Sequence, residues 1–126
     1  MIKCRIWDEE DEKMYMVAQL NFNPNGEFMS VSVLKKNLCI ERQADQVILM
    51  QSSGISDKNG NEIFEGDYIR ASSGALQKVL FGPMKINDSF SVGFSCFSEG
   101  TYWLFGENDE IVGNIYEDEN LEVQFK

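Results

Sequence analysis

Residues 2–8, IKCRIWD, alternate as a strand does. Ile2, Cys4 and Ile6 fall on one side, and Lys3, Arg5 and Trp7 on the other. The solvated stretch EEDEK at 9–13 turns the chain into MYMVAQLNF, and the two runs predict an N-terminal hairpin. NPNGE at 23–27 is a strong turn, because Pro sets φ and Asn-Gly accepts positive φ. EFMSVSVL at 27–34 then reads as a strand of β-branched and aromatic residues. KKNLCIERQADQ at 35–46 is the segment with modest helical character, and it reads as a short connecting turn of helix. VILMQS at 47–52 is a continuous apolar run, the pattern of a buried strand.

From Tyr68 onward the pattern is almost wholly β. YIRAS and LQKVLF flank a small SGA turn, and GPMKIND, which contains Pro83, reads as a loop. SFSVGFSCF at 89–97 places Phe90, Val92, Phe94 and Cys96 on one side of a strand. TYWLF and IVGNIY follow turns at SEG and GENDE, and LEVQF at 121–125 alternates as a last strand. No repeat, linker or low-complexity segment interrupts the chain, so residues 1–126 read as a single domain. Many short strands with regular turn signals predict a mainly-β fold. The expected form is a small antiparallel barrel or sandwich-like domain, with an N-terminal hairpin and at most short helical turns.

At 126 residues, the chain is long enough to bury a hydrophobic core without staples. Acidic residues number 21 against 11 basic ones, a formal charge of −10. Such a field repels nucleic acid and anionic lipid and attracts basic partners. The one adjacent basic pair is Lys35-Lys36, with no aromatic–basic interleaving, so direct nucleic-acid binding is not expected. There is no histidine, which removes the commonest general base and the commonest transition-metal ligand together. Cys4, Cys39 and Cys96 form no CxxC pair. Unpaired thiols, with no signal-peptide pattern and no run of transmembrane length, predict a reducing cytoplasm and no membrane partner.

The stretch SGISDKNGNEIFEGDYIRA at 53–71 invites three ligand readings. Asp57, Asn59 and Asn61 are spaced like the first three ligands of an EF-hand loop. Glu62 then stands where that loop needs Gly, and Tyr68 where it needs its bidentate Glu. Gly54, Gly60 and Gly66 are regularly spaced but match no phosphate-binding pattern, and nearby carboxylates repel phosphate. The acidic clusters Glu62, Glu65, Asp67 and Glu107, Asp109, Glu110 are compatible with a divalent metal or acid–base work, but an acidic composition produces such clusters by itself. Two tight turns bracketing a short EIF strand account for more of the residues. Asp57 starts the first turn, Gly60 takes positive φ, and Asp67 accepts hydrogen bonds in the second. No cofactor is expected.

The same stretch resembles the signature of the YopX family, small proteins encoded by bacteriophages and prophages. Gly54, Asp57, Lys58, Asn59, Gly60, Ile63, Glu65, Gly66 and Asp67 fill its "tGlkDknGkeIyeGDiv" pattern almost completely. The opening KCRIWDEEDEKMYMV, with Trp7-Asp8 before KMY, is similar to the family's start. IVGNIYEDENL, through Gly113, Asn114, Ile115 and Tyr116, is similar to its ending. SSG replaces a usual Thr-Gly, and EDENL lacks a usual Pro. Residues 76–106 match no part of the pattern, which leaves that segment as a place for partner specificity. The resemblance implies a phage or prophage protein of the bacterial cytoplasm, with a β-rich fold and no established cofactor or activity.

The leading functional expectation is a non-enzymatic binding or assembly module that forms a homo-oligomer. Trp7, Phe90, Phe94, Trp103 and Phe105 are the candidate interface residues. Gly54, Asp57, Gly60, Gly66, Asp67, Gly113 and Asn114 are expected to be structural. One alternative is an acidic decoy that binds a basic, nucleic-acid-binding host protein. A second is a carboxylate- or metal-dependent enzyme.

Overall fold

The computed structural model describes residues 3–86 and 89–118, with backbone alone at Ile86 and Phe90. Strand makes up 65% and helix 3%, so the mainly-β expectation holds. The sheets are antiparallel and open, not closed into a barrel. The chain divides into two compact units, Met1–Gln51 and Ser52–Lys126.

In the first unit, β1 (Cys4–Asp8) and β2 (Lys13–Phe22) form the expected hairpin, with Ile6 opposite Tyr15 and Asp8 opposite Lys13. In the turn that follows, Asn23 Oδ1 accepts the N–H groups of Asn25 and Glu27, both at 2.9 Å. The chain returns as β3 (Phe28–Lys35) and then β4 (Leu38–Gln43). β5 (Val47–Ser56) pairs with the other edge of β1, giving the order β4-β3-β2-β1-β5. Ile6, Val31, Val33 and Val47 are the buried centre, with Tyr15, Val17, Leu20, Phe28, Ile40 and Leu49 packed on it.

The helical reading of 35–46 is corrected. Lys35 pairs directly with Leu38, and Lys36 and Asn37 both take positive φ, 50° and 67°. This is a two-residue hairpin turn whose twist suits the strands. Residues 38–43 therefore complete a ladder with β3, Ile40 opposite Val33, and the burial of Ile40 outweighs a weak local helix preference. The helical turn that does form is one 3-10 turn, Ala44–Gln46.

In the second unit, the later part of β5 carries β6 (Glu62–Phe64), with Ser52 opposite Phe64. β7 (Asp67–Arg70), β8 (Leu76–Ile86), β9 (Ser89–Ser98), β10 (Thr101–Trp103) and β11 (Glu110–Asn114) form a sheet in the order β10-β9-β8-β7-β11. Ile63, Ile69, Val79 and Cys96 are its buried centre. Burial pushes the Cys96 thiol up to about 12, so it behaves as an apolar filler rather than a nucleophile.

The loop expected at GPMKIND is also corrected. β8 runs through Pro83 to Ile86, paired without a register shift from Lys78 opposite Phe97 to Ile86 opposite Ser89. β7 pairs with residues 76–78 of β8, and β10 with residues 96–98 of β9. Beyond those points, among the described residues, β8 and β9 pair with each other as a two-stranded arm. The strand expected at 121–125 lies outside the described residues.

Candidate functional site

Asp57 opens the DKNGN turn and is buried. Its Oδ1 accepts the N–H groups of Asn59 and Asn61, both at 2.9 Å, and Gly60 donates its N–H to the Asp57 carbonyl at 3.0 Å. Gly60 has φ of 84°, which L side chains rarely adopt, while a Cβ there would meet nothing within 4 Å. Its requirement is therefore conformational, not steric crowding. The other oxygen, Oδ2, accepts the N–H of Ile111 at 3.0 Å, and Lys58 donates its N–H to the carbonyl of Asp109 at 2.9 Å. The turn is thereby laced to β11. Burial pushes the Asp57 carboxyl up, but the N–H groups of Ile111, Asn61 and Asn59 more than reverse this, and the group titrates below its ordinary 3.8.

The other motif residues extend the same lacing. Buried Asp67 accepts the N–H of Phe64 through Oδ2 at 2.8 Å, which closes the EGD turn. Gly66 donates to the carbonyl of Val79 and accepts from the N–H of Ile115, both at 2.9 Å. Asn114 Oδ1 accepts the N–H groups of Tyr116 and Glu117 at 3.0 and 2.9 Å, and its own N–H donates to Asp118 Oδ2 at 3.0 Å. A Cβ on Gly113 would lie 2.6 Å from that Asp118 oxygen, so here the glycine serves close approach. Asp109 Oδ2 accepts the N–H of Gly106 at 2.7 Å. Gly54 stands apart within β5, where its N–H donates to Ser52 Oγ at 3.0 Å.

The arrangement thus directs carboxylates at backbone donors. An oxygen that already accepts N–H groups at these distances is poorly placed to serve as a metal ligand or a free base. Among the described residues, no group of three or more His, Cys, Asp or Glu side chains is arranged to hold a metal ion. Nor is any helix long and apolar enough to cross a membrane.

The first unit has a second acidic centre, of which only Asp8 stood out in the sequence. Asp8, 1% exposed, accepts the N–H of Glu10 at 2.9 Å through Oδ1 and Arg42 Nε at 2.9 Å through Oδ2. Asp11 Oδ2 accepts Lys35 Nζ at 2.7 Å and the Tyr15 hydroxyl at 2.8 Å. The Lys35 and Tyr15 bonds hold the Asp11 carboxyl below 3.8, and the same Asp11 bond raises both Lys35 and Tyr15. Asp8 and Arg42 are 34 residues apart, and no local pattern announces their pairing.

The candidate interface residues fall in different settings. Phe94 and Phe105 pack against the second unit's core. Trp7 is partly buried in β1 of the first unit. The Phe90 side chain lies outside the described residues. Trp103, 51% exposed, lines an open cavity of about 520 Å³ with Leu104, Leu76, Gln77, Glu99 and Asp109. Leu104 is 69% exposed, and on the arm Phe81 and Val92 are 43% and 73% exposed. Phe81, Val92 and Leu104 are additions to the expected interface residues; alternation sets Val92 on one side with Phe94 but does not signal its exposure.

The chain is similar to the crystal structure of protein EF1440 from Enterococcus faecalis, with 21% identity and a TM-score of 0.54. The match covers 96% of this chain and 97% of that one, and it shows a shared fold. No curated protein matches the chain. The family model described as YopX protein matches residues 3–121, taking in the WD turn, the DKNGN and EGD turns and the GN turn whose geometry is given above, and the chain belongs to that family.

Proposed function

We propose that this protein is a non-enzymatic assembly module, encoded by a phage or prophage and acting in the bacterial cytoplasm as a homo-oligomer held by apolar β surface. The observation that carries this reading is the exposure of Phe81, Val92, Trp103 and Leu104 along β8, β9, β10 and the residue that follows. These large apolar side chains lie in water while the motif carboxylates nearby are spent on backbone donors. Exposed apolar groups gathered on one segment favour association. The motif residues Gly54, Asp57, Gly60, Gly66, Asp67, Gly113 and Asn114 then serve as scaffold. Phage or prophage origin is part of this proposal, supported by the resemblance of the motif to proteins encoded by bacteriophages and prophages.

Copies carrying −10 each repel at long range, a repulsion screened over about 8 Å at physiological salt. Association must come from short-range burial, on the order of 800 Å² per partner. Sedimentation at low and high salt tests this. An oligomer that is unchanged or tightened by salt is expected. A monomer of 14.4 kDa under both conditions, at high micromolar concentration, overturns the reading.

A further inference from the structure

We propose that the edge of β9 that has no strand paired to it among the described residues, at 89–95, pairs antiparallel with the same edge of a second copy about a two-fold axis at Val92. This rests on the assembly reading and names its contact.

The argument begins with which way the backbone points. The carbonyl of Val79 accepts the N–H of Gly66, on the β7 side of β8. In an antiparallel ladder, residues directly opposite either bond each other or both point away, and the two cases alternate. The β8–β9 register has no shift, so residues 79, 81, 83 and 85 turn their polar groups away from β9. Their opposite residues, Cys96, Phe94, Val92 and Phe90, turn theirs away from β8. Pro83 agrees with this phase, since its missing N–H then costs no ladder bond. β10 takes up the edge at Cys96 and stops. The N–H and C=O groups of residues 90, 92 and 94 therefore face outward with no strand paired to them among the described residues.

Open edges are ordinarily guarded. β6 and β10 are short, at three residues each. β4 carries Glu41 and Arg42, and β11 carries Glu110 and a register shift. β2, where it runs past β1, has register shifts of its own. On the arm, β8 presents Pro83 and Lys85. Residues 89–98 contain no Pro and no charge. A two-stranded ribbon is marginal in water by itself, which favours an occupant for this edge.

The sequence of the edge selects the occupant. Residues 89–95 read SFSVGFS, a near-palindrome centred on Val92. Antiparallel self-pairing sets Val92 opposite Val92 of the second copy, Phe90 opposite Phe94, Ser91 opposite Gly93 and Ser89 opposite Ser95. Apolar residues meet apolar ones and small residues meet small ones, and each cross-pair occurs twice, as in any isologous contact. The outward phase makes the 90–94, 92–92 and 94–90 pairs the bonded ones, giving about six backbone hydrogen bonds. No charge from either copy lies in the paired stretch, so two acidic molecules meet where their repulsion is locally least. The result is a four-stranded ribbon, β8-β9 with β9-β8 of the second copy.

The test compares wild type with Val92→Pro and Val92→Lys by sedimentation, melting and amide hydrogen exchange. Val92→Pro deletes an outward N–H and no β8–β9 bond. Val92→Lys sets two cations face to face at the two-fold axis, and it decides the matter if the proline variant does not fold. Both variants are expected to associate at least about tenfold more weakly. In the wild type, amides 90, 92 and 94 should gain protection as concentration rises, while 91 and 93, turned toward β8, should be protected throughout. A wild-type oligomer that both variants leave intact overturns edge pairing and leaves the assembly reading standing. A wild-type monomer overturns both. Protection at 90, 92 and 94 that ignores concentration means the chain covers its own edge, and it also overturns the pairing.

Discussion

Asp57 Oδ2 accepts the backbone N–H of Ile111 at 3.0 Å, joining the DKNGN turn to β11 across 54 residues. The other oxygen of the same carboxylate holds Asn59 and Asn61, so one side chain fixes a local turn and a distant strand together.

Asp57→Asn should lower stability by about 1–3 kcal/mol, the cost of a buried polar group left unsatisfied. Both carboxylate oxygens accept N–H groups, so either orientation of the amide sets its NH2 against a donor. Thermal melting reads the loss. An unchanged midpoint would mean that the turn and β11 are not held through this carboxylate.

Acid should weaken the protein through the same group. The Asp57 carboxyl titrates lower in the folded chain than its ordinary 3.8, so the folded state favours the ionised form. Its contribution is fully present above the unfolded value and is lost as pH falls through the folded one. Denaturant melts between pH 6 and pH 2 should show wild type declining below about 4. Asp57→Asn should show a shallower decline. Equal slopes would place the acid sensitivity elsewhere.

Gly60→Val and Gly113→Ala should both destabilise, by different routes. At Gly60 there is room but the wrong φ, a strain of about 1–2 kcal/mol for a β-branched residue. At Gly113 the added methyl displaces Asp118 and breaks its bond to the Asn114 N–H. The cost of Gly113→Ala should therefore shrink in an Asp118→Ala background, whereas that of Gly60→Val should not change. Melting of the double variants checks this, and equal increments in both backgrounds would exclude the clash.

Arg42→Ala should cost about 1–3 kcal/mol by leaving the buried Asp8 oxygen without its charged donor. Arg42→Gln, with a shorter and neutral donor, should recover only part. Chemical denaturation at fixed pH compares the three proteins, and a neutral Arg42→Ala would show that water replaces the guanidinium.

What was legible in the sequence follows from range. The hairpin of β1 and β2 and the strand β9 are local patterns with period two, and both formed, but burial in β9 does not follow the alternation: Val92 is 73% exposed while Ser95, on the other face, is buried with Cys96. The DKNGN and EGD turns were equally plain, because Asp57, Gly60 and Asp67 act on their own neighbours. β4 is not legible because its turn uses Lys36-Asn37 in place of Asn-Gly, which does not signal positive φ. Pro83 reads as a loop because a proline shows its missing N–H and not the direction in which that gap will face. The contacts Asp57–Ile111 and Asp8–Arg42 depend on pairing partners 54 and 34 residues away, which no short window contains.

The boundary between the two compact units falls inside β5, at Gln51–Ser52, and not in a linker. Residues up to Gln51 sit in the ladder with β1, and Ser52 already belongs to the ladder with β6. A single extended strand thus belongs to a ladder in each unit, and a cut at Gln51–Ser52 would divide it. Recombination that shuffles domains works at hinges, where a cut leaves each product whole. Here a crossover at the boundary would sever a strand and hand each half a frayed end, so the two halves are expected to be inherited as one indivisible unit.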